Sequence, residues 1–168
     1  NIGVQSHFDL LAIEPWLASD ATVLLMSCRA GGYGTDGRDL LLRLSEVWPG
    51  RKVVGYMPIY VPREIVHAAG MLPVGIFGGG DQMEVIQGDA YYQSYICRIP
   101  RSTVELGLTG KLDCLDGMLF PSICDVIRNL SGMWQILFKD KYVRYFDVPQ
   151  NYVDAVGGTF YIQELEVL

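Results

Sequence analysis

The chain has 168 residues, half of them hydrophobic and 19 % charged, with a formal net charge of −6. That composition supports a buried core and excludes a disordered tail, and its acidic balance argues against wholesale neutralisation of nucleic-acid phosphates, which takes a basic face. The apolar runs are far shorter than the roughly 20 residues of a bilayer-spanning helix, so no membrane span is expected.

The opening "NIGVQSHFDLL" has neither an initiator Met nor the basic-then-apolar layout of a signal peptide, and "FYIQELEVL" stops in mid-pattern. The expectation is a piece of a longer, cytoplasmic protein. Residues 1–49 read as a partly helical region. Within it, "DGRDLLLRLSEVW" (36–48) places Leu40, Leu41, Leu44, Val47 and Trp48 at three- and four-residue spacing, an amphipathic stripe. The glycine-rich "CRAGGYGTDG" before it lacks the G-x-x-x-x-G-K-[ST] spacing of a phosphate cradle and reads as a surface loop.

From residue 50 the pattern changes. "KVVGYMPIY" (52–60) predicts a buried strand, and "PREIVHAAG" (62–70) a helix with Pro62 in its first turn and Gly70 at its end. "MLPVGIF" (71–77) predicts a second strand, closed by Gly78, Gly79 and Gly80. "PRSTVELGLTG" (100–110) is a helix stopped by glycine, "LDGMLFP" (115–121) a third strand, "CDVIRNLSGMWQIL" (124–137) a third helix and "KYVRYFDVP" (141–149) a fourth strand. Strands alternating with helices of about ten residues predict an α/β fold, a parallel sheet covered on both faces. The expected organisation is a helical region at 1–49, an α/β domain at 50–149, and a connector at 150–168 into a following domain.

In open parallel sheets, ligands collect beyond the carboxyl ends of the strands. "MPIYVPRE", "FGGGD" and "PSICD" land there. Cys124 sits where the third strand hands over to a helix, and Cys97 sits just ahead of its own helix. At both places free backbone N–H groups and the helix dipole favour negative charge, which suits a thiolate. The two could share one metal centre; the commoner fate of a free cysteine is to be a buried small hydrophobe. The four cysteines form no C-x-x-C pair and read as reduced thiols. Cys114 falls at the opposite end of the sheet and reads as packing, and Cys28 receives no role. Glu64 and Asp125 are first-turn acids by default, and His67 within "EIVHAAG" is a satisfied, partly buried histidine by default. Tyr91, Tyr92 and Tyr95 could line an apolar pocket or belong to the core.

Three stretches carry a family resemblance: "KVVGYMPIYVPREIVHAAGMLPV", "GDAYYQSYICRIPRSTVELGLTGKLDCLDGMLFPSICDVIRNLSGMW" and "RYFDVPQN". Over about residues 49–151 they resemble the N-terminal half of the catalytic subunits shared by benzoyl-CoA reductases and 2-hydroxyacyl-CoA dehydratases, with wording nearer the reductases. The resemblance implies a Rossmann-like fold and a 4Fe–4S cluster held by three cysteines, with the fourth iron position open. Two ligands would match Cys97 and Cys124, and the third would come from a later domain outside this chain. The family usually has an aromatic residue at the position of Cys114, in keeping with packing.

The resemblance also implies the chemistry. Electrons from a very low-potential donor would be added singly to the ring of benzoyl-CoA, alternating with protons, to give a cyclic dienoyl-CoA. A partner subunit, not this chain, would hydrolyse ATP to deliver them. The implied partners are a homologous second catalytic subunit, ATP-hydrolysing iron–sulfur activator subunits and a ferredoxin-type donor upstream. Glu64 and His67 become candidates for proton delivery, and Tyr60, Tyr91, Tyr92 and Tyr95 for lining the acyl-CoA pocket. A radical 2-hydroxyacyl-CoA dehydratase subunit is the second enzyme reading. A cluster-free structural subunit of such a complex is the third.

Overall fold

A computed structural model describes residues 50, 52–80 and 83–168. The helix expected at 36–48, the glycine-rich loop and Cys28 lie outside the described residues. Four strands, β1 (Val53–Tyr56), β2 (Leu72–Gly75), β3 (Gly117–Pro121) and β4 (Tyr142–Phe146), form one sheet in the order β2-β1-β3-β4. Every pairing is parallel, with Val54 opposite Pro73 on one side and Gly117 on the other. The helices are α1 (Arg63–Ala68), α2 (Arg98–Leu108), α3 (Asp125–Leu137) and α4 (Thr159–Glu166). A 3-10 turn spans Gly88–Tyr91 and a π-type turn Asp154–Gly158.

Alternation along the strands explains the layering. Val53, Met57, Met118 and Phe120 point into a core completed by Val104 and Leu106 of α2 and Ile127, Leu130 and Trp134 of α3. Their neighbours Val54, Tyr56 and Leu119 face a smaller core with Val66 of α1, Phe146 and the half-buried Tyr161 of α4. A parallel strand buried on both faces carries apolar residues at nearly every position rather than at every second one, and all residues of β1, β2 and β3 are buried. In α3 the spacing 127, 130, 134 puts the three buried apolar side chains on one stripe, beside the buried Ser131; each of the three contributes roughly 1.5–3 kcal/mol by leaving water. Trp134 then packs on Phe120 at 5.9 Å and on Phe138 at 4.4 Å between ring centroids.

The α/β architecture and all four strands are those expected, with shifted boundaries. β1 stops at Tyr56 instead of running to residue 60, because Ile59 and Tyr60 adopt left-handed backbone with φ of 72° and 66°. No strand continues through that conformation. Pro62 is the residue before α1 rather than inside its first turn, and α2 begins at Arg98, two residues before Pro100. Residues 150–168 lie back against the sheet: the Tyr161 hydroxyl donates to the Tyr60 carbonyl at 3.4 Å, and the Asp147 N–H donates to Glu164 Oε2 at 3.2 Å.

Candidate metal centre

The chain leaves β1 toward β2 on one side and returns through α2 to β3 on the other. That reversal of direction opens a crevice at the carboxyl ends of β1 and β3, where ligands of open α/β sheets bind. Its walls are the loop 57–62 after β1 and the loop 122–124 after β3. Left-handed backbone at two consecutive non-glycine residues, one of them β-branched, costs about 1–3 kcal/mol each. Such strain is found where a ligand wall is held in place. Ile59 and Tyr60 are both more than half exposed there.

Cys124 is the residue capping α3, in extended conformation, and Cys97 the residue capping α2. Neither side chain makes a capping hydrogen bond, and both are exposed free thiols. Tyr92 lies between the 3-10 turn and α2, packed against the larger core, with its hydroxyl buried and without a hydrogen-bond partner. Burial first, then the charges of Cys97 and Cys124, push this phenol well above the ordinary tyrosine range. Cys97 and Cys124, 27 positions apart in sequence (124 − 97), each cap a helix that starts at the carboxyl end of the sheet, and both are within electrostatic reach of the same buried hydroxyl. Exposed apolar side chains flank them in sequence, Tyr91, Tyr95 and Ile99 near Cys97 and Ile123 beside Cys124, and Ile59 and Tyr60 stand exposed in the loop after β1. Among the described residues no group of three or more His, Cys, Asp and Glu gathers. The donor chemistry present is two uncommitted soft thiols beside an unsatisfied donor, which suits part of an iron–sulfur ligand set.

The sequence matches the family model of the 2-hydroxyglutaryl-CoA dehydratase D-component over residues 58–168. The chain belongs to that family. It is 73 % identical over 123 residues to a benzoyl-CoA reductase subunit of Thauera aromatica, covering 73 % of this chain and 32 % of that protein. It is 39 % identical over 112 residues to the beta subunit of (R)-2-hydroxyglutaryl-CoA dehydratase of Acidaminococcus fermentans, covering 66 % and 29 %. The beta subunit of lactoyl-CoA dehydratase of Anaerotignum propionicum is 34 % identical over 119 residues, covering 71 % and 31 %. The chain spans about a third of the length of these curated relatives. Cys97, Cys124 and Tyr92 all fall inside the stretch matched by the dehydratase D-component model.

The other expected site residues divide by face. Glu64 is exposed in the first turn of α1 and, with Arg63, acts on the buried Tyr56 hydroxyl in the smaller core. His67 is half-buried in the last turn of α1. Both belong to the face opposite α2 and α3. Cys114 is half-buried against the larger core, and burial pushes its thiol up to about 11, the behaviour of packing material.

Three residues that support the crevice escaped the sequence reading. Arg98 donates through Nε to the Gly80 carbonyl at 2.8 Å and through its guanidinium to the Met83 carbonyl. Ser102 Oγ accepts the Gly79 N–H at 3.0 Å. Glu105, only 6 % exposed, accepts the Ile86 and Gly88 N–H groups through Oε2 at 3.0 and 2.8 Å. Positions 98, 102 and 105 lie on one face of α2, and that polar stripe at four- and three-residue spacing was the available signal. Together they fasten Gly79, Gly80, Met83, Ile86 and Gly88 to the helix that Cys97 caps. At Gly88 any side chain would collide with the Arg101 carbonyl, so the loop seats directly on the helix.

Proposed function

We propose that this chain is the cluster-binding part of a subunit of an ATP-dependent benzoyl-CoA reductase, which adds electrons to the aromatic ring of benzoyl-CoA and yields a cyclic dienoyl-CoA. The observation that carries this reading is the pair of exposed free thiols, Cys97 and Cys124, each capping a helix that starts at the carboxyl edge of the sheet. The relative at 73 % identity, named as a benzoyl-CoA reductase subunit, supports the substrate class. Cys97 and Cys124 would be two of three thiolate ligands to a 4Fe–4S cluster, the third coming from a later domain into which residues 150–168 lead. When bound, the cluster supplies low-potential single electrons to the neighbouring acyl-CoA.

The chain's own residues do the rest. α2 and α3 fix the two thiols at their N-termini, where backbone N–H groups offset the negative charge of thiolate and sulfide. The exposed rim of Ile59, Tyr60, Tyr91, Tyr95 and Ile123 binds the flat ring and excludes water, which keeps electrons from being lost to protons. Glu64 and His67 serve as proton-delivery residues from the α1 side. A homologous second subunit, an ATP-hydrolysing iron–sulfur activator and a ferredoxin-type donor complete the system, which works in the cytoplasm. A second reading, a radical 2-hydroxyacyl-CoA dehydratase subunit, draws on the family model and the relatives at 39 % and 34 % identity.

Iron and acid-labile sulfide in the anaerobically purified full-length protein test the assignment. Cys97→Ala and Cys124→Ala should each lower both contents. Unchanged iron in both variants would overturn the ligand assignment, and a wild type with neither iron nor sulfide would leave a cluster-free structural subunit as the answer. Assay of the complex with benzoyl-CoA and with a 2-hydroxyacyl-CoA separates the two enzymes: ATP consumed in proportion to turnover marks the reductase, and ATP needed only for activation marks the dehydratase.

A further inference from the structure

Among the described residues, four buried side-chain polar atoms lack a partner: the hydroxyls of Tyr56 and Tyr92 and the Nε atoms of Arg101 and Arg144. Both arginines are engaged through their terminal nitrogens, Arg101 with Asp89 at 2.9 Å and Arg144 with Glu164 at 3.9 Å. Tyr56 has the Arg63 guanidinium beside it. Tyr92 stands between the 3-10 turn and α2, five residues before Cys97 (97 − 92), and its unsatisfied hydroxyl is within electrostatic reach of both Cys97 and Cys124. A buried hydroxyl with no acceptor costs folding free energy, so an orphan of this kind is retained where something absent from the chain completes it.

Tyr92 is also held firmly. Its ring packs on the larger core, and the turn before it is fastened to α2 by Glu105 through the Ile86 and Gly88 N–H groups and by the Arg101–Asp89 pair. The backbone that carries the phenol is thus anchored, and its ring is held by packing. A phenol carries one O–H donor, and toward a thiolate or sulfide, which offers only lone pairs, it can act only as that donor.

We propose that the Tyr92 hydroxyl donates a hydrogen bond to a sulfur of the iron–sulfur cluster held by Cys97 and Cys124, and so helps to set the cluster's reduction potential. The inference rests on the ligand assignment above. A hydrogen bond to sulfur stabilises the reduced, more negative state, so its removal shifts the potential downward. Tyr92 is a positioning residue in this scheme, acting on the cluster rather than on the acyl-CoA.

Tyr92→Phe removes the hydroxyl and keeps the ring. In the anaerobically purified full-length subunit, the variant should keep its iron and sulfide while its midpoint potential, read by EPR-monitored redox titration, moves to more negative values. Pulsed EPR of the wild type exchanged between H2O and D2O should show an exchangeable proton coupled to the cluster, and that signal should be missing in the variant. An unchanged potential at full iron content overturns the proposal, as does a wild-type cluster with no exchangeable coupled proton. The wild-type spectrum decides even if the variant loses iron. A wild type that holds no iron overturns the ligand assignment itself, and the hydrogen bond with it.

Discussion

Among single residues, the three described cysteines show how position in the sheet separates chemistry from packing. Cys114 precedes β3 at the amino end, half-buried, while Cys97 and Cys124 stand exposed at the carboxyl end. Alkylation of the cluster-free protein at pH 8 should modify Cys97 and Cys124 first and leave Cys114 largely intact, as followed by mass spectrometry. The same burial has a pH consequence. With the Cys114 pKa raised in the folded state from 9.0 to about 11, the folded chain holds the proton more tightly than the unfolded one. Its contribution is complete below pH 9 and is lost as pH rises toward 11, roughly 2–3 kcal/mol in all. Urea titrations of wild type and Cys114→Ala across that range should differ in slope, the variant losing less. That Cys97 and Cys124 precede helices was legible from sequence because it is a local feature, and the ligand reading came with the family resemblance. Tyr92 was not singled out: "YYQSY" offers three tyrosines, and only the packing of a distant core decides which hydroxyl is buried. Glu105 was passed over for a similar reason, since an acid inside "VELGL" reads as solvent-facing until a loop closes over it.

For the elements, α2 and α3 meet at their carboxyl ends, the ends opposite the two cysteines that cap them. Gly107 is where the helices meet: an added Cβ would stand 2.6 Å from Phe138 Cζ and 2.9 Å from Trp134 Cη2. Gly107→Ala gains about 1 kcal/mol of helix propensity but forces two aromatic rings apart, which costs about 1–3 kcal/mol. The second term wins, so the urea midpoint should fall with an unchanged slope. Gly132, in α3, has nothing within 4 Å of an added Cβ. Gly132→Ala should raise the midpoint, a contrast that separates packing from propensity. Helical periodicity predicted both elements but not this contact, which depends on the crossing of two helices remote in sequence. β1 was overextended for the converse reason. "MPIY" is apolar enough to continue a strand, and composition carries no record of the backbone turning left-handed at Ile59 and Tyr60.

At the level of the whole molecule, the doubly covered parallel sheet was readable because alternating strands and helices of these lengths leave few topologies. The strand order was not, since periodicity does not say on which side of β1 the third strand docks. It docks opposite β2, and the pairing is stapled at its amino end by Asp116, whose Oδ1 accepts from Lys52 Nζ and whose Oδ2 accepts from the Val53 N–H, each at 2.8 Å. Those partners lie up to 64 positions apart in the chain. Closing so long a span is an entropically expensive and slow step, taken after local helices have formed. Until then the Cys97 and Cys124 segments belong to separate parts of the collapsing chain. On the proposed ligand assignment, metal capture comes late: during anaerobic refolding with iron and sulfide, the visible absorbance of a cluster should grow in only after the far-ultraviolet signal of the finished sheet. The staple at one end of β1 and β3 would thus act as the timer for cofactor assembly at the other.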